Sequence, residues 1–274
     1  MSKPASFKRF VVGMNHGAPD DKILRTIAEL AEIMNMPLLG LYAEDPGLID
    51  VAGLPFAREL RPLGGGWRSL DVDRLSREVE LAAGRLEQRF SRTVKGLSID
   101  TSFRVIKSST SNMIAAISEA GDIVVVTEPA NPADRATHQS AVLVEAAFRS
   151  DAAVLLVPHR IARRGGPIVA IATEPDDPAI GAAAGIAAAI SEKLVLVGSD
   201  RATGEQSAPG IEVEHLTPKI ARLTDAPGIC SALAHVAERL VVMTRGAFDD
   251  ATPAMVASMR HIPVLVVEPP GQRS

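Results

Sequence analysis

Apolar runs without alternation punctuate this chain at residues 10–14, 37–43, 123–126, 153–157, 167–172, 193–197, 240–243 and 263–267. Such runs suit strands covered on both faces, as in a parallel sheet between helices. A ninth stretch, 99–106, alternates and reads as a strand with one solvated face. Between the runs the period changes to that of helices. Ile23, Leu24, Ile27, Leu30, Ala31 and Met34 predict an amphipathic helix over 19–35. Leu75, Val79, Ala82, Ala83, Leu86 and Phe90 predict a long one over 69–95, whose charged residues form a solvated face with i,i+4 pairs. Further helices are expected from 112 to 120, over 137–150 and over 179–190.

The pattern then repeats itself. Gly121-Asp-Ile-Val-Val-Val-Thr-Glu-Pro129, a helix-length segment and Ala153-Val-Leu-Leu-Val-Pro158 are echoed by Arg239-Leu-Val-Val-Met-Thr-Arg-Gly246, a shorter segment and Pro263-Val-Leu-Val-Val-Glu-Pro269. Pro167-Ile-Val-Ala-Ile-Ala-Thr173 echoes Arg9-Phe-Val-Val-Gly-Met-Asn15. Strands alternating with helices imply right-handed crossovers and an α/β sheet. The basic, Gly-rich stretch His159-Arg-Ile-Ala-Arg-Arg-Gly-Gly-Pro167 reads as a linker, so the expected organisation is a domain over 1–160 and a truncated one over 166–274. In the second, 198–210 joins two strands either as a bare extended crossover or as a hairpin, and both stay open. Gly181 and Gly185 lie four apart on the 179–190 helix, which predicts a bare face in close contact with the sheet or another helix.

Residues 44–68 break the rhythm with Pro46, Pro55, Pro62 and Gly64-Gly65-Gly66-Trp67, and read as a long surface loop with a helical turn near 57–60. Loops of this length are commonly lids or interaction surfaces. Its apolar residues, among them Leu48, Val51, Phe56 and Trp67, suit contact with a partner, closure over its own domain or a homodimer seal. A phosphate cradle at the glycines is disfavoured, because Asp71 and Asp73 already occupy the first turn of the helix that follows.

Bulk properties narrow the class. Among 274 residues, 46% are hydrophobic and 23% charged, which is ordinary for a globular protein. Aromatics make up 3%, so aliphatic side chains and alanine must build the core. A net charge of -4 argues against nucleic acid as partner. A single cysteine, Cys230, excludes a disulfide framework within the chain and reads as core in a helical pattern. No apolar leader precedes the first strand and no run is long enough to span a bilayer, so the expected location is cytoplasmic, with no membrane partner.

Familiar catalytic signatures are missing from the sequence. There is no Gly-x4-Gly-Lys-Ser/Thr loop, no Gly-x-Gly-x-x-Gly after a strand, no Gly-x-Ser-x-Gly and no His-x3-His pair, so neither catalytic nor metal-binding residues are expected. Asp176-Asp177 and Asp249-Asp250 read as helix caps rather than acid–base pairs. Polar residues do gather at predicted carboxyl ends of strands, where open α/β sheets place ligands. These candidate ligand-binding residues are Asn15 and His16, Lys107 and Ser108, Thr127, Thr173, Thr244 and Arg245, with Gly246 in the same turn. Lys107 and Arg245 could neutralise a phosphate, though turn chemistry and capping explain the same residues.

The layout resembles the universal stress protein family in its tandem form. The features that carry the resemblance are Phe10-Val-Val-Gly-Met-Asn-His-Gly17, Pro37-Leu-Leu-Gly-Leu-Tyr42, and fifth strands ending in Pro158 and Pro269. It spans nearly all of residues 8–270. The resemblance implies two tandem open-sheet α/β domains of Rossmann-like, HUP type, each a five-stranded mostly parallel sheet in order 3-2-1-4-5. It also implies pairing of the two domains through their fifth-strand edges within one chain.

ATP-binding members carry an acidic residue after the first strand and Gly-x2-Gly-x9-Gly-Ser/Thr after the fourth. Here Asn15 and Thr173 take the acidic position. Ser140 matches the terminal Ser but follows Gln139, and the second copy keeps only Gly246. Side chains in such a loop obstruct phosphates, and Pro129 and Pro132 remove two N–H donors. The expectation is therefore a non-catalytic stress-response protein without a cofactor, acting through an unknown protein partner. The alternative is a sensor of nucleotide or small anion, taking ATP or AMP in the modified cleft of the first domain.

Overall fold

The computed structural model describes residues 7–14, 19–60, 66–108, 118–129, 144–203, 210–218 and 223–269. The first half contributes β1 (Arg9–Gly13), α1 (Asp21–Ile33), β2 (Leu38–Glu44), α2 (Pro46–Ala52), β3 (Arg58–Leu60), β4 (Trp67–Ser69), α3 (Val72–Val94), β5 (Thr101–Lys107), β6 (Asp122–Thr127) and β7 (Ala153–Val157). The second contributes β8 (Ile168–Ile171), α4 (Pro178–Ile190), β9 (Leu194–Val197), α5 (Asp200–Thr203), β10 (Val213–Leu216), α6 (Ala226–Ala232), β11 (Leu240–Thr244), α7 (Thr252–Arg260) and β12 (Val264–Val267). Of the predicted helices, 112–117 and 137–143 lie outside the described residues, 118–120 is not helical and 144–148 is.

The strands form one ten-stranded sheet, in order β10-β9-β8-β11-β12-β7-β6-β1-β2-β5. The two five-stranded halves thus meet edge to edge in a single sheet. Each half orders its own five strands 3-2-1-4-5, and β7 and β12 pair antiparallel with Val264 opposite Leu156 and Val266 opposite Val154. Every residue of these two strands is buried. Left apart, each would expose a flat apolar edge, and pairing removes both.

Alternate residues on each strand feed two apolar layers. Phe10 and Val12 pack with α1, α3 and α4, while Val11, Val154 and Val241 pack with α6, α7 and Ala147 on the other face. Buried carboxylates brace equivalent places in the two halves. Asp122, fully buried at the start of β6, takes Arg9 Nε at 3.0 Å and Nη2 at 2.8 Å. Glu238, fully buried just before β11, takes Arg260 Nε at 2.7 Å and Nη2 at 2.8 Å.

Several local expectations change. Pro46–Ala52 is a helix, because Asp45 caps it by accepting from Gly47 N at 2.9 Å and Pro46 sits in its first turn. Residues 58–60 form a strand rather than a helical turn, pairing antiparallel with β4. Glu59 bonds across the hairpin to Arg68 Nε at 2.7 Å and ties it to α3 through Arg74 Nη2 at 2.5 Å. Between β9 and β10 the chain makes a parallel crossover through α5, which excludes the hairpin alternative.

Gly181 and Gly185 turn the opposite way from the expected close contact: a methyl at either would meet nothing within 4 Å. α4 instead packs through Ala179, Ala182, Ala183, Ile186 and Ala187. Asp249 and Asp250 are not side-chain caps either, since α7 begins after Ala251 with no side-chain cap. Cys230 is only partly buried, and burial pushes its thiol up from the usual range. No described helix is long and apolar enough to cross a membrane.

The Glu59 ties predict an acid response. Its carboxyl is held below the usual carboxylate range by the hydrogen bond from Arg74, with Arg68 adding to it. The carboxylate binds its proton more weakly when folded. Its contribution is therefore complete above the unfolded value and is lost as pH falls through the lower folded one. Trp67, the only tryptophan, lies on β4 and reports the hairpin. Its emission should hold steady through the ordinary carboxylate range and change only below it. Glu59→Gln should show the released emission already at neutral pH; a variant with the wild-type acid profile would refute the tie.

Candidate functional site

The switch point of each half, where the strand order reverses, lies between β1 and β6 and between β8 and β11. In the first half Asn15, His16 and Ser140 lie outside the described residues. Lys107 stands exposed at the end of β5, three strands from Thr127 at the end of β6, or about 14 Å by strand spacing. Ser108 follows it and donates its backbone N–H to Glu44 O at 3.0 Å. The two predicted groups are thus not brought into one direct cluster.

The second half does converge, but on itself. Asp177 is buried and caps α4, accepting from Ala179 N at 3.0 Å. Its other oxygen accepts from Thr173 N at 2.9 Å and Thr173 Oγ1 at 3.1 Å. Thr244 Oγ1 donates to Asp177 Oδ1 and accepts from Ala179 N at 3.2 Å. A carboxylate therefore sits where the positive end of a helix dipole would hold a phosphate. Asp177 was legible as a cap before Pro178; that it also gathers the two threonines across the switch point was not.

Arg245 is consumed in the same way. Its Nη1 donates to Ser150 O at 2.6 Å and Nη2 to Ala152 O at 2.7 Å, both just ahead of β7. It pairs with Glu268 at the end of β12 and lies over the Phe148 ring at 5.6 Å. Burial lowers the Arg245 guanidinium and raises the Glu268 carboxyl, each against the pull of the other. For both groups, then, desolvation outweighs mutual attraction. Gly246 serves the turn, at φ +76° with Ala247 N bonded to Thr244 O at 3.3 Å.

The repeat equivalent of Arg245 is Glu128, which also reaches across the junction. It accepts from His159 N at 3.2 Å, pairs with His159 Nδ1 at 2.8 Å and takes Ser258 Oγ of α7 at 3.3 Å. Opposite charges at matched positions were the sequence signal for this junction role. Side chains that end the fourth strands thus tie the halves together.

No protein-family model matches the chain, and no curated protein matches it in sequence. Solved structures do match in fold. A universal stress protein from Archaeoglobus fulgidus superposes with a TM-score of 0.61 at 15% identity, covering 96% of this chain and 98% of its own. A protein of unknown function from Pseudomonas aeruginosa aligns with a TM-score of 0.49 at 16% identity, over 97% and 94% of the two chains.

Proposed function

We propose that this chain, which has the fold of a universal stress protein, is a non-catalytic binding protein that acts in stress response through contact with another protein. The contact surface is the insertion between β2 and α3. One observation carries this reading. Half of the exposed large apolar side chains among the described residues lie on this insertion: Leu48, Val51, Leu54, Phe56 at 77% exposure and Trp67 at 64%. Clustered exposed apolar residues of this kind mark interaction sites. The hairpin that carries Trp67 is tied to α3 by the Arg74–Glu59 pair. The self-satisfied polar cluster of Thr173, Asp177 and Thr244 supports a role that does not turn on ATP.

A photo-crosslinking residue placed at Phe56 tests the reading. Under stress conditions it should yield a discrete adduct with a protein that is absent when the same residue replaces Arg85 on α3. Adduct formation should fall when Trp67→Ser is added. Equal labelling from both positions, or none from Phe56, would overturn it. ATP and AMP should raise the melting temperature no more than inorganic phosphate does; a larger saturable rise would favour the nucleotide reading instead.

A further inference from the structure

Beside the junction, the linker between the halves closes a cleft of about 90 Å³ against α1 and the starts of β8 and β11. Three arginines line it, Arg163, Arg164 and Arg239, with Thr26 and Glu29 from α1 and an apolar floor that includes Leu30. It shares no residue with the Thr173–Asp177–Thr244 cluster.

The positive charge here is poorly compensated. The Arg239 side chain makes no hydrogen bond or ion pair with the described residues. Arg163 Nη1 is buried without a hydrogen-bond partner, its nearest carboxylate being Glu238 at 3.7 Å. Glu238 is already engaged by Arg260 in two bonds of 2.7 and 2.8 Å. Arg164 reaches Glu29 only at 3.7 Å, and Glu29 is held by Arg25 at 3.1 Å. Among the described residues, three guanidinium groups thus have near them only Glu238 and Glu29, each already engaged by another arginine.

The backbone holds this arrangement in place. Ala162 N donates to His261 O at 2.7 Å, and Arg239 N to Pro167 O at 3.0 Å, so the linker is pinned on both sides of Arg163 and Arg164. Gly166, at φ +121°, lies so close to the turn before β11 that a Cβ would stand 2.1 Å from Ala237 O. Only glycine fits there.

We propose that this cleft is an anion site that takes a phosphate group. Guanidinium forks match the oxygens of phosphate, and three of them exceed what two carboxylates already bound by Arg260 and Arg25 can use. The volume admits the phosphate group itself, so any larger molecule would enter by a terminal phosphate and leave its remainder in solvent. The proposal does not rest on the protein-contact reading above.

Calorimetric titration of the full chain with inorganic phosphate, at ionic strength held constant with chloride, tests it. Wild type should bind saturably with a stoichiometry of one and gain melting temperature in parallel. Arg239→Gln, which removes a side chain without a partner and so leaves the fold intact, should weaken binding by about tenfold or more. Arg163→Gln should do the same. Pyrophosphate and AMP form the second arm. Competition by them with orthophosphate, lost in Arg239→Gln, identifies a terminal phosphate as ligand, and binding by orthophosphate alone identifies the free ion. No saturable binding, or equal affinity in wild type and Arg239→Gln, overturns the proposal.

Discussion

Replacing Arg245 by alanine is expected to destabilise the protein by about 3–4 kcal/mol, the range found when one partner of a buried ion pair is removed. In a chain of this size that lowers the melting temperature by about 10 °C. The loss has three sources. Ser150 O and Ala152 O lose charged donors, the Phe148 ring loses its cation, and Glu268 stays partly buried with its partner gone. Burial already raises the Glu268 carboxyl, and removing Arg245 raises it further. A carboxyl raised on folding contributes stability below its unfolded value and loses it as pH rises through the folded one. The deficit of the variant should therefore shrink as pH falls into the carboxylate range. Arg245→Met with Glu268→Leu should recover the part of the loss that comes from Glu268, since desolvation outweighs attraction in this pair. Thermal denaturation of the three proteins across pH reads all of this. A pH-independent deficit would show that Glu268 is not the source.

Asp177→Ala is the second large effect, about 2–3 kcal/mol from a lost helix cap and from hydrogen bonds to a charged acceptor. Thr173 N, Thr173 Oγ1, Thr244 Oγ1 and Ala179 N all lose the same acceptor. Asp177→Asn keeps an acceptor oxygen and should cost about half as much. The alanine variant also vacates the N-terminus of α4, so sulfate should restore part of its stability and leave wild type little changed. Melting curves with and without sulfate decide the matter. Equal response of the two proteins would mean that Asp177 does not stand in for an anion.

Much of this arrangement was readable from residue order. The buried runs at 123–126 and 240–243 marked the repeat. Cap chemistry was readable where a capping residue precedes proline, as at Asp177-Pro178. It misled at Asp249-Asp250, where the same residue type lies in the turn without capping. Composition misled at Gly181 and Gly185 because spacing defines a helix face but not what that face meets. It misled again at 58–60, where strand pairing with 67–69 is a non-local contact that no local period reports.

The amino-acid sequence by itself determined the repeated α/β plan, because the period of apolar residues dictates which segments are buried strands and which are one-sided helices. Tertiary structure alone decided how the polar residues at the strand ends are used. Thr244 and Thr173 read as ligand contacts until Asp177 is seen between them, and Arg245 until its guanidinium is found on Ser150 and Ala152 across the junction. The physical reason is distance along the chain. Arg245 and Ser150 are 95 residues apart, and only the antiparallel pairing of β7 with β12 brings them together.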